Sequence, residues 1–363
     1  WDYTGNDNCS QLSILYKDQG GTENWGIVHS IHPPDFKYNI QTYFGFDLNT
    51  MHMSENFIIL SAKQHNGMVK TNGQWPPGKN NSGVASSQGR AGCVYVYKKD
   101  DSAHTWSLNN QIFELREEKD NKFGNTVSMC NNNYVYVTRA DSSTDDKYKV
   151  NTYKLEAGGV EVESKDDITT QLSSTAVWGH IEVDGNHLVA TRNGDKLEIF
   201  KKNGENWTSV ASIDDDKDGE SWGYYIRLSG DYLFVAATAR TVNNKTSAGT
   251  IYIYKKDEGG TDKWGEVHKI EGSEEQEEFG RAQLSQIGFD VDGDYVIVRG
   301  KSSTYKPKIY KKDSNADTWT YQTELDAPPA ITGVSSSYEG TVNIKGDYAF
   351  IAGHDMKFTA GGS

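Results

Sequence analysis

The stretch Trp222-Gly223-Tyr224-Tyr225-Ile226-Arg227-Leu228-Ser229-Gly230-Asp231-Tyr232-Leu233-Phe234-Val235-Ala236-Ala237 is followed, after a polar loop, by Thr250-Ile251-Tyr252-Ile253-Tyr254-Lys255-Lys256 and then by Trp264. It reads as an aromatic-Gly pair, a short apolar strand, a Gly-Asp-Tyr turn, a second strand, a third strand closed by Lys-Lys, and a Trp that opens a fourth. The same phrase returns from Phe279-Gly280 to Trp319. Its third strand recurs as Val94-Tyr95-Val96-Tyr97-Lys98-Lys99, Leu197-Glu198-Ile199-Phe200-Lys201-Lys202 and Pro307-Lys308-Ile309-Tyr310-Lys311-Lys312. Self-similarity at this spacing marks a repeat architecture.

Working outward, further copies begin at Phe44-Gly45, Phe123-Gly124, Trp178-Gly179 and Tyr338-Glu339-Gly340. The last copy holds two strands only. The missing half lies at the other end, where Leu12-Ser13-Ile14-Leu15-Tyr16-Lys17 and residues 25–31 form a third and a fourth strand with nothing before them. Pairing the two halves closes a ring and removes two open sheet edges. The expectation is an all-β, six-bladed β-propeller of four-stranded antiparallel blades, one domain over residues 1–363. Blade 1 spans 43–114, blade 2 122–164, blade 3 177–213, blade 4 221–271 and blade 5 278–326, while blade 6 combines 337–355 with 10–32. The third strands Val94-Tyr95-Val96-Tyr97 and Ile251-Tyr252-Ile253-Tyr254 show no apolar-polar alternation, as befits sheets covered on both faces. Trp106, Trp207, Trp264 and Trp319 share one repeat position and are assigned to packing between blades.

Composition narrows the functional classes. The net charge is -14, so nucleic acid and anionic membranes are poor partners. No apolar run is long enough to cross a membrane. The 21 Tyr, 9 Trp and 12 Phe supply buried area that the 35% hydrophobic fraction alone would not. Three cysteines, Cys9, Cys93 and Cys130, lack metal-site spacing. Asn8, Asn80, Asn206 and Asn244 each begin an Asn-x-Ser/Thr sequon. With the chain opening at Trp1, they favour a processed, extracellular protein carrying N-linked glycans. Asp214, Asp216 and Asp218 match the opening of an EF-hand loop, but Tyr225 stands where the bidentate Glu belongs. They are candidates for a weak Ca²⁺ site and nothing more. No other cofactor is indicated.

The ordered phrases also resemble the FG-GAP repeat family, the group that includes the integrin α-subunit propeller. The resemblance rests on Phe44-Gly45, Phe123-Gly124 and Phe279-Gly280, and on Gly230-Asp231-Tyr232, Gly293-Asp294-Tyr295 and Gly346-Asp347-Tyr348. Integrin-type repeats carry a calcium loop in the first hairpin. Here that hairpin is too short, so the resemblance is to a calcium-free branch, and six blades stand where integrins have seven. It implies an extracellular module for adhesion and partner binding. The expectation is therefore a non-catalytic module that binds a protein or glycan partner. A structural glycoprotein that self-associates into a filament or coat is the alternative, and a propeller glycan hydrolase a second. A cluster of carboxylates with perturbed proton affinities in the central channel would bring that last alternative back.

Overall fold

The structure is a computed structural model that describes residues 9–17, 25–31, 51–54, 56–62, 93–100, 104–112, 123–130, 134–140, 148–156, 159–167, 180–192, 196–204, 206–214, 220–282, 286–302, 304–325, 334–337 and 340–358. Every named element is a β-strand. Blade 1 is built from Met51–Met53, Phe57–Ala62, Cys93–Lys99 and Trp106–Ile112; blade 2 from Val127–Met129, Tyr134–Ala140, Tyr148–Glu156 and Gly159–Asp167. Blade 3 comprises Ile181–Asp184, His187–Arg192, Lys196–Asn203 and Asn206–Asp214. Blade 4 comprises Trp222–Ser229, Tyr232–Ala237, Thr250–Lys256 and Trp264–Glu271, and blade 5 Phe289–Asp292, Tyr295–Val298, Lys308–Lys312 and Trp319–Glu324. All pair antiparallel with their sequence neighbours.

Blade 6 is composite, as the half-repeats require. Val342–Lys345 pairs with Tyr348–Phe358, which pairs with Cys9–Lys17, which pairs with Trp25–Ile31. Val334–Ser337 adds a short flank to the far end of Tyr348–Phe358. The first strand of each blade lies against that of the next, and the sixth lies against the first, so six short strands surround the axis. The six-bladed propeller is thus closed.

The repeat phrase has a packing explanation. Gly124 and Gly280 adopt φ of 79° and 91°, and a Cβ at either would lie 3.1 Å from the Cβ of Ser61 or Ala236 in the preceding blade. Glycine is required for conformation and for close approach together. The recurring Trp also crosses between blades. Trp106 meets Tyr348 and Phe350 edge-on, Trp207 meets Tyr136, Trp264 meets His187, and Trp319 meets Tyr232 and Phe234. The Lys-Lys pair does more than leave the sheet. Lys99, Lys202 and Lys312 each lie over the Trp of their own blade and over Tyr348, Tyr134 or Tyr232 of the one before. His29 and His268 hold equivalent places and place Nε2 3.2 and 3.3 Å from the carbonyls of Trp106 and Trp319. Cys93 and Cys130 are buried core residues.

Candidate active site at the propeller axis

Each of the six inner strands places one polar residue, flanked by apolar ones, at the same repeat position. Its partner across the hairpin is Ile59 for His52, Tyr136 for Ser128, Val189 for Glu182, Phe234 for Arg227, Ile297 for Asp290 and Phe350 for Asn343. These six residues come from six blades and meet at the axis.

Arg227 is the hub. Its Nη1 donates to Glu182 Oε1 at 2.5 Å and its Nε to Asp290 Oδ1 at 2.6 Å. Asp290 Oδ2 accepts from Asn343 Nδ2 at 3.1 Å and from the Ile344 N–H at 2.9 Å. Asn343 Nδ2 also faces the Met51 carbonyl at 3.3 Å, one residue before His52. On the other side Ser128 Oγ donates to Glu182 Oε2 at 3.2 Å and accepts the Val183 N–H at 2.9 Å. His52 Nε2 lies 3.5 Å from Glu182 Oε2, which brings the circuit back to blade 1. His180 adds a seventh group, with Nε2 3.5 Å from Glu182 Oε1 and Nδ1 3.1 Å from the Tyr224 carbonyl.

Burial is deep but graded. The side chains of Glu182 and Arg227 are 1% and 2% exposed, that of Asp290 8%, and that of His52 17%. Removing two carboxylates and a guanidinium from water is costly, and the network offsets that cost with charge-assisted bonds. The two acids are pushed apart. Burial drives the Glu182 carboxyl up, but Arg227, with His180 and His52, outweighs it and holds the group well below the usual carboxylate range. Burial drives Asp290 up against Arg227, His52 and the Ile344 N–H, and the charge of Glu182 adds to the rise. One acid is fixed as an anion while its neighbour holds a proton more readily.

The sequence-expected sites lie elsewhere or outside the described residues. Asp214 ends the outer strand of blade 3, 71% exposed and paired with Lys196 at 3.2 Å, while Asp216 and Asp218 lie outside the described residues. Among the described residues no three His, Cys, Asp or Glu side chains gather as a metal-binding group. Asn206 and Asn244 are exposed, the latter in a tight turn with φ of 64°; Asn8 and Asn80 lie outside the described residues. No described helix is long and apolar enough to cross a membrane. Sequence reasoning missed the axial residues because six different residue types make no motif. The signal was positional: a polar residue inside each apolar inner strand.

The fold and its axis define the class, a six-bladed propeller with a buried cluster of ionisable groups at its centre. No protein-family model and no curated protein sequence matches the chain. Three solved propellers are similar in structure at 12–13% identity. A candidate 6-phosphogluconolactonase from Bacteroides fragilis covers 90% of this chain and 98% of its own, with a TM-score of 0.45. Another from Bacteroides uniformis covers 89% and 98%, with a TM-score of 0.47. The periplasmic gluconolactonase of Pseudomonas aeruginosa covers 95% and 99%, with a TM-score of 0.46 and 13% identity. At such identity no residue role is transferred.

These findings correct two expectations. The FG-GAP resemblance is not upheld, since no family model matches the chain. The physical reason is that Gly124 and Gly280 answer to a close approach between neighbouring blades, and the glycines of the Gly-Asp-Tyr turns to a positive φ in the hairpin. The expectation of a non-catalytic adhesion module, and with it the assignment as a non-enzyme, is likewise not upheld: the similar propellers bear lactonase names, a likeness that at this identity concerns the fold alone.

Proposed function

We propose that the protein is a hydrolase that opens a small ester or lactone at the propeller axis. The observation that carries this reading is the arrangement at Arg227, one guanidinium bonded to two buried carboxylates whose proton affinities move in opposite directions. Titratable groups so separated divide acid and base roles between them. Glu182, held ionised, fixes the guanidinium. Asp290 is the more exposed of the two and is the group suited to take a proton and return it.

The sign of the central charge decides between reaction types. Glycoside cleavage develops positive charge on the sugar, which a guanidinium opposes. Acyl transfer develops negative charge on the carbonyl oxygen, which a guanidinium stabilises. The site therefore favours acyl over glycosyl hydrolysis. A water oxygen bonds to the carbonyl carbon as its proton passes to Asp290, and with that carboxylate neutralised the oxyanion forms beside Arg227. The bond to the leaving oxygen then breaks, and that oxygen recovers the proton from Asp290. One water is consumed, and an acid and an alcohol result. The exposed sequons at Asn206 and Asn244 support an extracellular setting for this activity.

The test is proton release by the purified protein across a panel of small esters and lactones, beginning with those that name the similar propellers. Asp290→Asn is expected to lower turnover by about 10²-fold or more while the protein stays folded. Absence of turnover on the whole panel overturns the reading.

A further inference from the structure

Among the buried atoms of the axial cluster without a hydrogen-bond partner are two acceptors, Asn343 Oδ1 and His52 Nδ1. The orientation of the Asn343 amide is fixed chemically. Its Nδ2 faces two acceptors, the Met51 carbonyl and Asp290 Oδ2, so Oδ1 is an acceptor that lacks a donor. The tautomer of His52 is assigned from the carboxylate it faces. With the hydrogen on Nε2, towards Glu182, Nδ1 presents a lone pair.

We propose that Asn343 and His52 form a hydroxyl-reading subsite, so that the substrate is a neutral, polyhydroxylated lactone rather than a phosphorylated one. Two bare acceptors call for two O–H donors, and a buried acceptor left unmade is costly. A sugar-derived ring brings such donors. A phosphate group adds only acceptors and leaves the ring hydroxyls in place, so the choice against the phosphorylated lactone rests on charge. Arg227 is the only Arg or Lys among the six axial side chains, and it is bracketed by two carboxylates. A phosphate there meets anions with no further axial cation to receive it, on a chain of net charge -14. The inference rests on the hydrolase reading and sharpens it.

The experiment compares kcat/KM for a neutral polyhydroxylated lactone such as glucono-1,5-lactone, its 6-phosphate, and δ-valerolactone, which carries no hydroxyls. The hydroxylated lactone is expected to exceed δ-valerolactone by about 30-fold, the worth of two hydrogen bonds, and to exceed its phosphate by about 10-fold or more. His52→Phe narrows the first ratio, chiefly through KM. Equal rates on the bare and hydroxylated lactones, or preference for the phosphate, overturn the subsite and leave the hydrolase standing. If neither these lactones nor any ester of the panel turns over, the hydrolase reading falls and ligand-observed NMR with myo-inositol decides the subsite on its own. Binding that His52→Phe abolishes supports it, and absence of binding to the folded wild-type protein ends it.

Discussion

Arg227 Nε lies 2.6 Å from Asp290 Oδ1, across the boundary between blades 4 and 5, while the opposite edge of the same guanidinium reaches Glu182 in blade 3. Three blades are tied by one side chain. Breaking a buried ion pair from one side leaves an uncompensated charge, which costs far more than the pair was worth. Arg227→Met leaves two buried carboxylates facing each other. It is expected to destabilise by about 3–5 kcal/mol at neutral pH. The penalty shrinks on acidification, because one of the two acids then takes a proton. Denaturant melts of both proteins at neutral and mildly acidic pH measure this, and a pH-independent penalty contradicts it.

Asp290 predicts a pH profile. Its carboxyl is raised above 3.8, so the ascending limb of kcat/KM against pH is expected above that value. Asp290→Asn removes the limb together with most of the rate. The linked stability term has the opposite sign to that of Glu182. A raised carboxyl contributes stability that is full below its unfolded value and is lost as pH rises through its folded one. The lowered Glu182 contributes stability that is full above 4.5 and is lost only as pH falls towards its much lower folded value.

Acid should also loosen the seam between blades 4 and 5. Asp317, two residues before the recurring Trp319, accepts from the Tyr232 hydroxyl at 2.5 Å and from Lys255 at 2.8 Å, and these partners lower its carboxyl to about 2. The equivalent Asp262 takes Lys201 of blade 3 at 3.1 Å. Asp317→Asn is expected to cost about 1 kcal/mol at neutral pH, discounted for partial exposure. Because the folded value is depressed, that difference persists down to the ordinary value of 3.8 and fades as pH falls from there towards about 2. Thermal melts of the two proteins across this window should converge; a gap that stays constant sinks the assignment.

What could be read beforehand follows from how each feature is encoded. Blades are encoded locally and repeated, so Gly230-Asp231-Tyr232 and the Lys-Lys strands declare themselves many times over. Ring closure was legible because strands three and four precede any first or second strand. The axis is encoded once per blade, in six residues far apart in sequence. Arg227 between Ile226 and Leu228 gives no hint of its partners, since only the closed ring brings Glu182 and Asp290 to it. The aromatic-Gly phrase misled for the converse reason. Gly124 and Gly280 serve a steric demand between neighbouring blades, so their recurrence reports packing.

The last prediction concerns closure itself. Ile14 is fully buried and pairs with Phe350 on one side and His29 on the other, so its strand is interior to blade 6. A proline there removes a ladder hydrogen bond and clashes with an interior strand. Ile14→Pro is expected to cost at least about 2 kcal/mol. The control is Tyr321→Pro in the outermost strand of blade 5, which has a partner only on the Tyr310 side and should cost less. The distinguishing readout is association. Unpairing Cys9–Lys17 from Tyr348–Phe358 frees a sheet edge on each half of blade 6, and free edges recruit other chains. Light scattering should show Ile14→Pro forming oligomers under conditions where Tyr321→Pro remains dispersed like the wild-type protein. Equal behaviour of the two variants would mean that the N-terminal strands are not what holds the ring shut.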